Sequence, residues 1–260
     1  MNFLRQSWFH IKEFSSTPYF AQLMVMGTLS TCLVQRLGVA AWHTDPVIAM
    51  LRSFAIAMWM YCTAAAGIIG FERRKGTLVY LLASPTHPML AIASLVLPVA
   101  SFGMLSFPLS VLIWIVPGRS AVTWAQVGSS LPLLLIGLFM VWLASVSITL
   151  VIALLFVLTP NATVYEDLLL VPLMVVSGVF VLPGASQSQE SIWQSIVRHI
   201  SYVFPTTGAT RNLYSTVQGN ISMAWLVQSI LLTMIWICIA TALGFWVMRK
   251  VRHDASLEVA

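Results

Sequence analysis

The chain alternates between long apolar runs and brief polar punctuation. Residues 19–42 make one run, entered through Thr17-Pro18 and marked by Arg36 near its far end. Residues 47–71 make a second, with Arg52 near its start. The stretch 76–118 carries no charged side chain and is too long for one helix. Ser84-Pro85 and His87-Pro88 divide it, which predicts a short helix and then a third long one over 88–116. A fourth covers 129–158 and stops at Thr159-Pro160-Asn161, and a last covers 222–248. A helix needs about 20 mostly apolar residues to cross a bilayer, and each of these runs is long enough.

Two stretches fit the pattern less simply. Residues 167–183 are apolar but short, and Pro172, Gly178 and Pro183 interrupt them. The tract 184–220 is polar and partly amphipathic, with Ile192, Ile196, Ile200 and Val203 recurring at helical spacing. In the first sixteen residues, Phe3, Leu4, Trp8, Ile11 and Phe14 alternate with Arg5, Lys12 and Glu13. That pattern suits an amphipathic helix lying in a membrane interface.

Composition turns these runs into membrane spans. Of 260 residues, 59% are hydrophobic and only 8% are charged, against about 25% charged in an ordinary soluble domain. The expected class is an all-α polytopic membrane protein forming one transmembrane domain. The net charge of +5 then reads as a topology signal. Arg5 and Lys12 precede the first span, Arg73, Arg74 and Lys75 follow the second, and Arg249, Lys250 and Arg252 follow the last. Placing all three groups in the cytoplasm requires an even number of crossings, so 167–183 must also cross, giving six. Arg36, Arg52, Arg119, Arg198 and Arg211 then fall at or near the outer side. Trp42, Trp114, Trp124 and Trp225 gather near the outer interface, and Trp59, Trp142 and Trp236 lie mid-span as packing residues or as a wall for an apolar substrate.

Several chemistries are disfavoured. Cys32, Cys62 and Cys238 are far apart in apolar runs, and the five histidines show no metal-ligand spacing. Neither GxSxG nor HExxH occurs. Glu166 and Asp167 are adjacent, so they point in different directions on a helix; they are expected to cap and solvate the start of the fifth span. The N-terminus lacks the uninterrupted apolar core of a cleavable signal. The stretch "GFERRKGTL", Gly70 to Leu78, has a superficial likeness to a phosphate-binding loop. A Walker A loop ends in Gly-Lys-Ser/Thr after a strand. Here Lys75 and Gly76 are transposed, and a helix precedes them.

The order of features resembles the ABC-2 type permease family, the membrane subunits of a large group of ABC exporters. "FERRKGTLVYLLASP" is similar to the family's charged pair, Gly-Thr-Leu, Leu-Leu and Ser-Pro between the second and third spans. Ser177, Gly178, Phe180, Leu182-Pro183, Pro205 and Arg211 resemble its second, more degenerate motif. Many members carry an acidic residue where this chain has Val79. The resemblance implies a coupling helix over 72–85 that docks on a separate ATPase, with Glu72, Arg73, Arg74, Lys75, Gly76, Thr77, Leu78, Leu81 and Leu82 as coupling residues. The residues agree: Thr77 suits a helix cap, Leu78, Leu81 and Leu82 make one apolar face, and Pro85 ends the turn. Glu72 is expected to pair with Arg73 or Arg74, or to cap nearby backbone. It further implies that spans 1, 2 and 5 line a pathway, and that 184–220 forms re-entrant outer helices. Pro172, Ser177, Gly178, Phe180, Pro183, Pro205 and Arg211 are the candidate outer gate, and Arg198 and Arg211 could meet an anionic group near the exit.

The implied partners are two ATPase subunits, a second permease subunit in a homodimer or heterodimer, and the lipid bilayer, with no nucleic acid. ATP and Mg would bind the ATPase, leaving this chain without catalytic, cofactor or metal residues of its own. The implied location is a bacterial inner or plasma membrane, with both termini cytoplasmic. A nearly uncharged path points to an amphipathic or apolar cargo such as a drug-like antibiotic, a lipid-linked molecule or a peptide. The alternatives from other classes are a non-transporting scaffold or immunity protein and an intramembrane lipid-modifying enzyme.

Overall fold

The computed structural model describes residues 3–78, 80, 88–116, 122–129, 131–159, 162–180 and 192–258. Every regular element among them is helical. In chain order these are α1 (Phe3–Ser15), α2 (Pro18–Trp42), α3 (Pro46–Ala64), α4 (Ile68–Arg74), α5 (Pro88–Phe102), α6 (Ser106–Ile115), α7 (Trp124–Ser129), α8 (Leu131–Leu158), α9 (Ala162–Val176), α10 (Ile192–Ser201), α11 (Pro205–Ser215) and α12 (Met223–Glu258).

Five helices are long and apolar enough to cross a membrane: Pro18–Trp42, Pro46–Arg74, Met89–Ile115, Leu131–Leu158 and Met223–Val247. The second joins α3 to α4 through a 3-10 turn at Ala65–Gly67, and the third joins α5 to α6 through Gly103–Leu105. Local sequence explains their ends. The Asp45 carboxylate accepts from the Val47 and Ile48 amides, and Pro46 opens α3 where its missing N–H costs nothing. α2 ends at His43, whose left-handed backbone (φ 52°) returns its N–H to the Val39 carbonyl.

The core lies around α3 and α8, with Trp59, Phe54, Met50 and Ile148 fully buried. The second and fourth spans are 83% and 78% buried, while the first and last are each only 22% buried. Polar atoms inside this core are tied to local backbone. The hydroxyls of Ser145 and Thr149 donate to carbonyls one turn earlier on α8, as a largely apolar surrounding demands. Trp59 is a packing residue. Trp114 departs from the expected interfacial belt: it is fully buried, and its indole N–H donates to the Ser53 hydroxyl at 3.3 Å. Trp42 and Trp124 are exposed as that belt requires.

Three boundaries differ from the sequence reading. The second span runs on to Arg74, so Glu72, Arg73 and Arg74 form its last turn and not a loop. The fifth segment starts at Ala162, which puts Glu166 and Asp167 in its second turn and not at its cap. Pro172 lies inside α9 and leaves it continuous; the break comes at Gly178, whose φ is +76°. A proline removes one helix hydrogen bond, whereas a residue in the left-handed region ends the helix.

Candidate functional site

Helix termination accounts for the order of the charged stretch. At the end of α4 the Lys75 N–H reaches the Phe71 carbonyl, the Gly76 N–H that of Arg73, and the Thr77 N–H that of Glu72, each at 3.0 Å. With Gly76 at φ +73°, this is a Schellman cap. The Lys-Gly order therefore has a backbone cause: the glycine takes the left-handed position that stops the helix.

Each charged side chain then has its own task. Arg73 donates to the carbonyls of Val157 and Thr159, closing the end of α8 with a cation where the helix dipole is negative. Arg74 is exposed and lies 4.7 Å over the Phe71 ring. Glu72 is buried; its carboxylate accepts from the Thr77 hydroxyl and lies 3.6 Å from the Lys75 ammonium. Glu72 thus pairs with Lys75, where Arg73, Arg74 or nearby backbone was expected. Thr77 reaches back to Glu72. Lys75 also meets Glu13 of α1 at 3.3 Å, so α1, the loop and α8 are tied together at one end of the bundle. Partial burial disfavours the Lys75 charge, but Glu13 and Glu72 outweigh it and hold its pKa above the ordinary lysine value.

Past the cap, Leu78 and Tyr80 are helical. Leu78 is 5% exposed and joins the chain's own core. Tyr80 is 78% exposed. Leu81 and Leu82 lie outside the described residues.

At the opposite end, the chain after α9 is held by hydroxyls. The Thr206 and Thr207 hydroxyls donate to the Ser177 carbonyl, at 2.5 and 3.3 Å, and Thr207 also donates to the Ser201 carbonyl. A Cβ on Gly178 would meet the Thr207 hydroxyl at 2.1 Å, so glycine is required there by space as well as by φ. Pro205 opens α11, and its carbonyl accepts from the Ser229 hydroxyl on α12 at 3.0 Å. Gly208 lets α11 press on α12, since a Cβ there would meet the Trp225 carbonyl at 2.8 Å. Arg211 lies against Trp225 and Tyr202, at 4.3 and 5.0 Å from the ring centres. The Val203 carbonyl accepts from the Trp236 indole, and Phe204 stacks on the same ring. Trp236 lies well inside α12, so the turn between α10 and α11 sits deep along that helix, and Asn212 returns to meet Ser222.

Ser177 and Gly178 thus lie against Thr206 and Thr207, the two residues that follow Pro205. Phe180 instead borders an open apolar groove of about 150 Å³ with Thr31, Gln35, Ile56, Met60 and Met174. Pro183 lies outside the described residues. The sequence reading passed over Glu13, Thr206 and Thr207; the run Pro205-Thr-Thr-Gly208 was the available signal, hydroxyls beside a helix-opening proline and a small residue. Among the described residues no three His, Cys, Asp or Glu side chains gather as a metal site. No protein-family model matches this chain, and no curated protein matches it.

Proposed function

We propose that this chain is the membrane subunit of an ATP-driven exporter of the ABC-2 type, energised by a separate ATPase. The observation that carries this reading is the anchored loop at Gly76. A membrane helix ends in a rigid cap, Arg73 ties that cap to α8, Lys75 ties it to α1, and Arg74, Lys75 and Tyr80 face outward. A push on such a loop passes directly into several membrane helices. A loop serving only as a stop signal needs no such ties.

Other features support the same reading. The groove between α2, α3 and the end of α9 falls on the three spans expected to line a pathway. The exposed face of α12 is apolar, with Val227, Leu231, Met234 and Ile235, and suits lipid. The exposed side of α2 adds Gln22 and Ser30, which suits a second permease subunit. Six crossings belong to the proposal. α9 leaves the end held by Arg73, and Ser177 is bonded near the far end, from which α12 returns. α10 and α11 are then the re-entrant pair: irregular backbone at membrane depth is tolerated where protein buries it, and the Ser177 and Ser201 carbonyls are buried and bonded. Both termini are cytoplasmic in this arrangement. The cargo is amphipathic or apolar, and ATP with Mg acts on the partner.

The test uses the full chain purified from its native membrane. Arg74→Glu with Tyr80→Ala should abolish co-purification of an ATPase and leave folding intact, because both side chains are exposed. Retention of the ATPase by that double variant would refute the docking assignment. Leu78 is unsuitable for this purpose, since replacing a core residue weakens the fold itself.

A further inference from the structure

Arginine does not give up its proton in proteins, so an arginine inside a membrane helix needs a partner. Arg36 has one: it donates to the Ile113 and Val116 carbonyls at 2.8 and 3.1 Å and lies over Trp114. Arg73 closes α8, and Arg211 meets Tyr202 and Trp225. Arg52 differs. It lies six residues into α3, about 9 Å along the axis at 1.5 Å per residue, and is 8% exposed. Its Nε is buried without a hydrogen-bond partner, as is that of Arg36, but unlike Arg36 it reaches no backbone carbonyl, and no carboxylate pairs with it among the described residues. The nearest polar side chain assigned to it is Tyr214 of α11, whose ring centre is 6.0 Å from the guanidinium. The Tyr214 hydroxyl is buried with its oxygen toward the guanidinium, and its own O–H finds no acceptor.

Two unsatisfied donors, one permanently cationic, thus meet between α3 and α11. Leaving both unpaired is strongly unfavourable, and an oxyanion would satisfy both in one place.

We propose that Arg52 and Tyr214 form a binding site for an anionic oxygen group, a phosphate or a carboxylate, at the end of the bundle opposite Gly76. The guanidinium supplies charge and donors, and the phenol supplies one neutral donor. This site holds whether or not the chain moves a cargo, and its test is independent of any ATPase.

The full chain in uncharged detergent is titrated with sodium phosphate, against sodium chloride of equal ionic strength, while its melting temperature is followed. Phosphatidylglycerol and phosphatidylcholine are added in separate arms. A saturable rise with phosphate or phosphatidylglycerol, but not with phosphatidylcholine, is expected. A rise with free phosphate assigns a small anion, and a rise with phosphatidylglycerol alone assigns a lipid headgroup. Arg52→Met should melt at or above the wild type without anion, because it removes an unpaired buried charge, and should lose the rise. Tyr214→Phe should keep the rise with a Kd weaker by about threefold to tenfold. No rise in the wild type, an unchanged rise in Arg52→Met, a lower melting point of anion-free Arg52→Met, or an unchanged Kd in Tyr214→Phe would each overturn the proposal.

Discussion

The two ends of the bundle close helices by the same backbone device with different chemistry around it. Gly76 and Gly178 both adopt φ near +75°, at +73° and +76°. Around Gly76 a Cβ would meet nothing within 4 Å, and the ties are ionic or charge-assisted and partly exposed. Around Gly178 a Cβ would collide with Thr207, and the ties are neutral hydroxyls buried among helices. One end is fastened yet presents charge outward, as a surface that receives a partner must. The other is a sealed knot in which every added atom is felt.

Substitutions at the two glycines separate these cases. Gly178→Ala combines left-handed strain with overlap at Thr207 and should cost about 3 kcal/mol or more, read as a large loss of folded protein or of melting temperature in detergent. Arg73→Gln leaves the Val157 and Thr159 carbonyls without their cation and should cost about 1–3 kcal/mol. Gly76→Ala meets strain alone and should cost about 1–2 kcal/mol. Equal losses at the two glycines would erase the contrast between an open cap and a packed knot.

The smallest effect belongs to Glu13→Gln. Lys75 is half exposed, its side chain retaining 53% of its surface, so solvent and salt screen the pair and the cost should stay below about 1 kcal/mol. The raised Lys75 pKa makes this contribution fully present below the ordinary lysine value of about 10.4. It is lost as pH rises through the higher folded value. Melting curves of wild type and Glu13→Gln should therefore differ by a constant amount between pH 7 and 9 and converge only at strongly alkaline pH.

Much of this architecture was legible in the residues. The long charge-free runs located the five apolar helices, because a membrane span writes itself as uninterrupted hydropathy. Thr17-Pro18 marked the start of α2 through its proline, since the Thr17 side chain makes no cap bond, whereas the Asp45 cap of α3 went unread. The ends at Arg74 and Ala162 were harder. Charges read as the edge of a span, yet Glu72 is neutralised locally by Lys75 and Thr77, and Arg73 by the end of α8, so the helix runs through them. Pro172 looked like the break because proline is the stronger helix breaker in isolation, whereas α9 ends just before Gly178, where the Thr206 and Thr207 hydroxyls bond the Ser177 carbonyl. Those partners lie 29 and 30 residues beyond Ser177, and nothing in the sequence next to the break announces them. Arg52 read as an outer-side charge; only its packing against Tyr214 reveals that it is buried and unpaired.

The account's central claim is that the outward face of the Gly76 loop drives the membrane helices through a bound ATPase. The most direct measurement is ATP hydrolysis by material captured on the tagged full chain from its native membrane, beside the Arg74→Glu, Tyr80→Ala double variant. The account predicts hydrolysis with the wild type and its loss with the folded double variant. Equal hydrolysis in both, or none with the wild type, would contradict it.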